Sequence, residues 1–309
     1  MSVQHRDIEA LHREGISATM IAGVCGLSPW ESPYSIYQRI VGAVPANEET
    51  PRMRWGKLLE PIVVNLMKDQ WPELKIRANA ADRPVRRSDL GFPMIAIPDG
   101  WAYDDDGREP VEAKTASFWS SEDWSRELPL HYFAQVQWQI AVAGAKRAYC
   151  GALPDGEDLR PRIIERDEKV IAAMIERGRA FWCDHVVPRI PPPIDGHRAT
   201  SDALSAMWPQ TRVVSILLPD EAMDWVRDYQ QAKDDEDAAK VRKDEAANHL
   251  RELLGDAESG VVGDRKVVWK PVTQHRIDSK ALRAAHPDIA EQFTGESTSR
   301  RFQIKEVSA

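Results

Sequence analysis

The segment from residue 94 to residue 115 constrains the fold more than any other part of the chain. Two runs of strand-forming residues, 94–103 and 110–115, flank the turn sequence Asp-Asp-Asp-Gly at 104–107. An Asp-Gly pair between two such runs is a typical hairpin signal. The predicted hairpin brings Asp99 beside the strand of Glu112 and Lys114, whose side chains share a face because strand side chains alternate. Two carboxylates and a lysine are therefore expected to converge.

This convergence suits a hard metal ion. Mg²⁺ prefers oxygen ligands, and Asp99, Glu112 and the backbone carbonyl of Ala113 would supply them together with water. Lys114 could then orient a water molecule or stabilise developing phosphoryl charge. Solvated charges on a surface hairpin are the commoner meaning of such a pattern, and these residues alone leave that alternative open.

Two helical patterns add further polar side chains. Glu60 falls in an apolar arc of the helix predicted over 53–70, where a carboxylate is costly unless it is paired or binds a metal. The alternative is that Pro61 ends or kinks this helix and exposes Glu60. Gln135 lies in the helix predicted over 132–142, with Gln139 one turn later, and ordinary helix surface is the alternative there.

The remaining pattern predicts an α/β or mixed α+β core, a central mixed sheet flanked by helices. Further helices are expected at 19–27, 33–41 and 167–187, and further strands at 76–85, 147–153 and 161–166. Three consecutive prolines at 191–193 form a stiff spacer. We therefore predict a main domain over 1–190 and a C-terminal extension over 191–309, with a charged helix at 219–254 and strands at 261–272 and 301–305.

Charge and cysteine content restrict the classes of protein. Residues 220–260 hold 13 acidic and 6 basic residues, a net charge of −7, so the rest carries −1 of the total of −8. A nearly neutral body can still carry a basic groove. Three scattered cysteines without a CxxC pair argue against a disulfide scaffold, a structural zinc site or a four-thiolate cluster. Without a membrane-length apolar run or a signal peptide, a cytoplasmic protein is expected.

Three arginines, Arg83, Arg86 and Arg87, follow one another within five residues of the sequence. Arginines in such a cluster could follow a phosphate backbone. A solvated strand edge is the equally plausible alternative.

The order Glu60, Asp99, Glu112-x-Lys114, Gln135 resembles the PD-(D/E)xK nuclease superfamily. It is most similar to the phage lambda exonuclease and YqaJ-type viral recombinase family. Further similar segments occur in the family's order over about residues 13–185, and several collinear segments are more specific than any one of them. They are Arg-Glu-Gly-Ile-Ser-Ala-Thr at 13–19, Gly-Leu-Ser-Pro-Trp at 26–30, Trp-Gly-Lys at 55–57, Ala-Gln-Val-Gln at 134–137 and Ile-Glu-Arg-Asp-Glu-Lys at 164–169.

The resemblance implies a role for each matched residue. Asp99, Glu112 and the Ala113 carbonyl would bind metal, and Glu60 would bind a second metal ion, directly or through water. Lys114 would act on the attacking water, and Gln135 would hold the site from the neighbouring helix. Arg13, with Ser17 or Thr19, matches the pocket for a terminal 5′-phosphate. An ordinary lysine pKa near ~10.4 disfavours Lys114 as a general base and favours a charged water-positioning group.

The same resemblance implies a Mg²⁺-dependent 5′-to-3′ exonuclease that digests double-stranded DNA from its ends and leaves 3′ single strands. Two ions per site, with Mn²⁺ as a substitute, a ring-shaped homo-oligomer and a single-strand annealing protein as partner are expected, in phage or prophage recombination in a bacterial host. An endonuclease or 3′-end nuclease on the same core is one alternative. A non-catalytic DNA-end adaptor that recruits an annealing protein is another.

Overall fold

A computed structural model describes residues 8–45, 50–79, 83–104, 107–116, 128–154, 156, 158–296 and 300–306. The chain divides into two compact units, Met1–Thr211 and Arg212–Ala309. The first unit combines a central mixed sheet with flanking helices, which confirms the predicted fold class.

The first unit contains two sheets. Its strands are β1 (Ile16–Ser17), β2 (Lys75–Ala78), β3 (Val85–Arg87), β4 (Met94–Ala96), β5 (Gly100–Asp104), β6 (Gly107–Ala116), β7 (Arg147–Pro154) and β8 (Arg160–Glu165). The five-stranded sheet has the order β2-β5-β6-β7-β8, in which only the β6–β7 pair is parallel. The smaller sheet has the order β1-β4-β3, with β1 parallel to β4.

Several helices of this unit begin or end at residues that favour such ends. They are α1 (Ile8–Glu14), α2 (Ala18–Val24), α3 (Pro33–Ile40), α4 (Pro51–Gln70), α5 (Leu130–Ala143), α6 (Glu168–Ala180), which continues into a π-helical turn (Phe181–Val186), and α7 (Arg198–Met207). Ser32, Thr50 and Asp167 cap α3, α4 and α6 by accepting backbone N–H hydrogen bonds. Gly144, in the left-handed region at φ 68°, ends α5.

The structure divides two segments that the sequence pattern predicted as single strands. Residues 76–85 contribute to β2 and β3, and residues 94–103 contribute to β4 and β5, which lie in different sheets. Pro98 has no N–H to donate to a ladder, so the chain leaves the smaller sheet there and enters the larger one at Gly100. Asp99 therefore lies where the chain crosses between the two sheets.

Helix α4 packs on one face of the large sheet. Val63, Val64 and Met67 of this helix are buried with Ile76, Ala102 and Val111 in one apolar cluster. The helix runs without interruption through Pro61, so the alternative that this proline ends it is wrong. Glu60 is half-buried on this helix. A second apolar cluster involves α2, α3, β4, α5 and α6.

The second unit consists of α8 (Ala222–Leu254), the antiparallel hairpin of β9 (Ser259–Val262) and β10 (Arg265–Val268), α9 (Ser279–Ala285) and α10 (Pro287–Gln292). Helix α8 has 33 residues and buries none of them. The predicted strand at 301–305 is wrong, since residues 300–306 form no regular element. No helix in the described part of the chain is long and apolar enough to span a membrane.

The division between the units lies after residue 211 and not at the proline spacer near 190. Helix α7 follows the spacer but packs on α3, where the buried Thr200 and Ser32 share a hydroxyl hydrogen bond of 2.7 Å. The extent of the functional domains, placed at 1–190 and 191–309 from the sequence, stays a prediction.

Candidate active site

The β5–β6 hairpin brings Asp99 to the strand that carries Glu112. Gly100 pairs with Val111, so the chain direction sets Asp99 opposite Glu112 at the end of the ladder. The backbone N–H of Ala113 donates a 2.7 Å hydrogen bond to Oδ2 of Asp99. The predicted hairpin and the predicted proximity of these residues are thus present in the structure.

Glu112 is a buried carboxylate held by donors from another element. Its side chain is 1% exposed. On α5, Nε2 of Gln135 donates to Oε1 over 2.5 Å, and Nε2 of Gln139 donates to Oε2 over 2.6 Å. Lys114 forms an ion pair with Oε1. A buried carboxylate is tolerated when donors and an opposite charge compensate for lost hydration, and all are present here.

Lys114 is partly buried and points to the same site. Burial by itself favours the neutral amine, but the charges of Glu112 and Asp99 outweigh it and raise the pKa of Lys114 above its usual value. The ammonium nitrogen also lies 5.1 Å from the centre of the Tyr132 ring. Lys114 is therefore a cation at neutral pH, which supports charge stabilisation over proton abstraction.

Asp99 is the electrostatically least compensated member of the group. Burial, followed by the negative charges of Glu112 and Glu60, raises the pKa of Asp99 well above its usual value. Lys114 and the Ala113 N–H act in the opposite direction. The contribution of Glu60 shows that α4 carries this carboxylate close enough to interact with the site. The arrangement concentrates negative charge where a cation would relieve it.

Gln139 is a site residue that the sequence analysis named without assigning it a role. It is fully buried, as is Gln137 of the same helix. Gln137 instead donates to the Glu165 carbonyl over 2.7 Å and accepts from the Asp167 N–H over 3.0 Å. The signal for Gln139 was its i, i+4 relation to Gln135, because residues four apart lie on one face of a helix.

We expect Gln139→Leu to lower both the free energy of unfolding and the DNA cleavage that the family resemblance implies. The substitution removes a donor to a buried charge, which costs about 1.5–3 kcal/mol in urea unfolding, and lets Glu112 change its orientation. Gln137→Leu is the matched control, since it loses two hydrogen bonds at an equally buried position away from Glu112. It should cost similar stability while activity at a temperature where both variants are folded stays near wild type. Equal activity of the two variants would contradict a positioning role for Gln139.

Three neighbouring rings, those of Trp30, His131 and Tyr132, lie close to Lys114. The Trp30 ring is 61% exposed and meets His131 edge-on, with ring centres 4.7 Å apart. His131 in turn lies 4.1 Å from the Tyr132 ring. Burial and the charge of Lys114 lower the pKa of His131, so its imidazole is neutral at physiological pH. Sequence analysis assigned no site role to these rings, and adjacency to Lys114 is visible only in the fold.

The residues matched to a 5′-phosphate pocket lie around β1. Ser17 is buried, and its Oγ lies 3.0 Å from Oγ1 of the exposed Thr19. Arg13 is exposed in the last turn of α1 and makes no ion pair with any residue that the structure describes. Ser17 pairs with Ile95 of β4, four residues before Asp99. The structure thus brings the two hydroxyls together but shows no contact between them and Arg13.

A domain comparison and a full-length relative of this chain both point to YqaJ. Residues 8–146 match the YqaJ-like viral recombinase domain. The chain is 29% identical over 305 residues to the uncharacterized protein YqaJ of Bacillus subtilis (strain 168), covering 96% of this chain and 92% of that protein.

Solved structures of low similarity include an alkaline exonuclease from Laribacter hongkongensis. It is 21% identical, with a TM-score of 0.47 over 57% of this chain and 89% of that one. A phage-related exonuclease from Haemophilus somnus 129PT is 13% identical, with a TM-score of 0.43 over 65% of this chain and 99% of that one. The domain match at residues 8–146, the similarity to YqaJ over nearly the full chain and the ordered motifs agree, and together they support the lambda exonuclease and YqaJ-type viral recombinase family for this chain.

Proposed function

We propose that the protein is a Mg²⁺-dependent exonuclease that digests the 5′-ended strand of duplex DNA and leaves 3′ single strands. The observation that carries the proposal is the meeting of Asp99, Glu112 and Lys114 at one point, with Glu112 held by two glutamines of α5. A decorative surface hairpin would leave such charges solvated, whereas Glu112 is buried. The similarity to the YqaJ-like viral recombinase domain supports DNA as the substrate class.

The donor set fits a hard divalent cation. In the described part of the chain, no group of three or more His, Cys, Asp and Glu side chains is arranged around one point. Two carboxylates and the Ala113 carbonyl are the protein donors, and Mg²⁺ keeps several water ligands in such sites. Glu60, whose charge acts on Asp99, is the candidate for a second ion. Bound as a pair, such ions stabilise the attacking and leaving oxygens of phosphodiester hydrolysis.

The protein side chains divide the remaining work. Asp99 and Glu112 would hold the cations, and the Gln135 and Gln139 amides fix the orientation of Glu112. Lys114, kept charged by its neighbours, would orient the attacking water and stabilise the negative charge that develops on the phosphoryl oxygens. No proton transfer to Lys114 is required.

The preference for a 5′ end is assigned to Arg13 with the Ser17 and Thr19 hydroxyls. Strand β1 runs beside β4, whose chain reaches Asp99 four residues after Ile95. Four extended residues span at most ~13 Å, so an end group bound near β1 lies within a few nucleotides of the carboxylates. Arginine and hydroxyl donors are suited to a phosphate monoester.

The experiment compares linear duplex DNA with 5′-phosphate and 5′-hydroxyl ends in the presence of Mg²⁺. We expect wild type to prefer the phosphate by about 30–100-fold, equivalent to ~2–3 kcal/mol for charge-assisted hydrogen bonds. Arg13→Ala should remove most of this preference while its rate on hydroxyl ends is unchanged. Arg160→Ala, at another exposed arginine, is the control. An unchanged preference in Arg13→Ala would contradict the assigned pocket.

The same assay separates the alternatives. Cleavage of a closed circle would identify an endonuclease, and loss of the 3′-ended strand would identify the opposite polarity. DNA binding without any hydrolysis would identify an adaptor.

The proposal includes a ring-shaped homo-oligomer, a single-strand annealing protein as partner and a cytoplasmic location in the bacterial host. A ring would keep the enzyme on its DNA by topology. Sedimentation velocity of the purified chain tests the oligomer, and a monomer at working concentration would contradict it.

A further inference from the structure

A groove separate from the carboxylates opens beside the same hairpin. It lies between β2, β3 and the β5–β6 pair and has a volume of about 630 Å³. Its polar and aromatic lining, here called the arginine groove, consists of Arg77, Asn79, Arg83, Arg86, Trp101, Tyr103 and Arg108.

Two of its arginines lie over aromatic rings. The guanidinium carbon of Arg108 lies 3.9 Å from the centre of the Trp101 ring, and that of Arg77 lies 5.8 Å from the centre of the Tyr103 ring. Such contacts leave the N–H edges of the guanidinium free to donate. The rings therefore preorganise the arginines and do not consume their donors.

Three of the four arginines in the groove have no carboxylate partner among the residues that the structure describes. Arg77, Arg83 and Arg108 pair with no carboxylate that the structure describes, and Arg86 pairs with Glu14 over 2.5 Å. None of the described lining residues is acidic. In a chain with a net charge of −8, a cluster of arginines of which three have no described carboxylate partner is a local site for an anion.

The arginine groove is joined to the candidate active site. Asn79 donates its backbone N–H to the Asp99 carbonyl over 2.8 Å, and its Nδ2 donates to the carbonyls of Pro98 and Arg83 over 3.0 and 3.1 Å. Trp101 follows Asp99 by two residues, about 7 Å along an extended chain. The groove thus begins within about one nucleotide of the carboxylates.

We propose that the arginine groove binds the phosphodiester backbone of the DNA next to the bond that is cleaved. The inference rests on the proposed function for its substrate. It distinguishes Arg83 from Arg87, a second arginine of the same segment. Arg87 pairs with Asp89 over 2.7 Å and donates to the Ala141 carbonyl, so its positive charge is already neutralised by a carboxylate.

The test measures binding of a fluorescent duplex with a 3′ overhang by anisotropy, in EDTA and over a range of salt concentrations. The double variant Arg77→Gln with Arg83→Gln removes two exposed, unpaired charges. We expect about tenfold weaker binding and a salt dependence reduced by about one unit of slope for each lost phosphate contact. The matched control, Arg160→Gln with Arg198→Gln, removes the same charge at exposed positions outside the groove and should retain the wild-type slope.

A third variant, Arg77→Lys with Arg83→Lys, keeps both charges and should restore most of the affinity. Thermal unfolding of each variant verifies the fold. If the glutamine variant binds like its control, the groove does not contact DNA and the inference is overturned. In that case Glu112-dependent cleavage by wild type would still support the proposed function. If wild type neither binds nor cleaves the duplex, both proposals fail.

Discussion

Glu112→Gln is expected to reduce cleavage of duplex DNA by about a thousandfold, equivalent to ~4 kcal/mol of transition-state stabilisation. The substitution keeps the volume of the side chain but removes the negative charge that we propose binds metal and that pairs with Lys114. Single-turnover digestion of a phosphorylated duplex measures the loss. Isothermal titration with Mn²⁺ should show that metal binding is lost in parallel.

Glu109→Gln is the control for this substitution. Glu109 lies on the same strand and is equally buried, but its carboxylate accepts from the backbone N–H groups of Lys146 and Arg147 over 3.1 and 3.2 Å. This variant should lose stability, by about 1–3 kcal/mol, yet cleave within a few-fold of wild type. Wild-type cleavage by Glu112→Gln, or equal losses in both variants, would contradict the assignment of Glu112.

Lys114→Met is expected to reduce the rate by about 10²–10³-fold because a charge aimed at the developing phosphoryl oxygens is lost. Lys114→Arg tests which property matters. Arginine stays protonated in proteins, so it can stabilise charge but cannot serve as a general base. We expect it to recover at least about a tenth of wild-type activity, and an arginine variant as inactive as the methionine variant would contradict charge stabilisation.

The pH profile adds an independent measurement. The pKa of Lys114 is raised in the fold, so the ammonium form persists to higher pH than in a free lysine. Its pairing contributes stability below the ordinary lysine pKa, and this contribution is lost as pH rises through the raised value. Lys114 should therefore remain protonated between pH 7 and 10, and we expect no increase in cleavage rate from its deprotonation over this range. A rise that disappears in Lys114→Arg would show that the neutral amine is the reactive form.

Local patterns in the sequence predicted the parts of the site that depend on chain neighbours. The turn predicted at 104–107 and the strand alternation placed Asp99 near Glu112 and Lys114. The structure pairs β5 with β6 and joins Asp99 to the Ala113 N–H, while residues 105 and 106 lie outside the described part of the chain. The same local patterns failed at Pro98, where one predicted strand is divided between two sheets. A run of residues with high strand propensity cannot show where the chain passes from one sheet to another, because the hydrogen-bond partners of its strands are distant in sequence.

Contacts between distant elements were beyond the sequence pattern. From the sequence, Gln135 and Gln139 could have lain on the exposed surface of their helix. Only the packing of α5 on the sheet directs both side-chain amides at Glu112. The arginine groove is a similar case. Arg108 lies far along the chain from Arg77, and the pairing of β5 with both β2 and β6 brings these two arginines beside Trp101 and Tyr103.

The sequence by itself determined the mixed fold class, the hairpin and the ordered motifs that carry the resemblance to the YqaJ-type family. Tertiary structure decided which charges are compensated, because that depends on burial and on donors from other elements. Through such contacts Glu112 is held in one orientation and the pKa of Lys114 is raised. Composition and spacing show which ionisable groups a chain carries. The free energy of each charged form depends on its desolvation and on its distance from other charges, and the folded structure sets these two quantities.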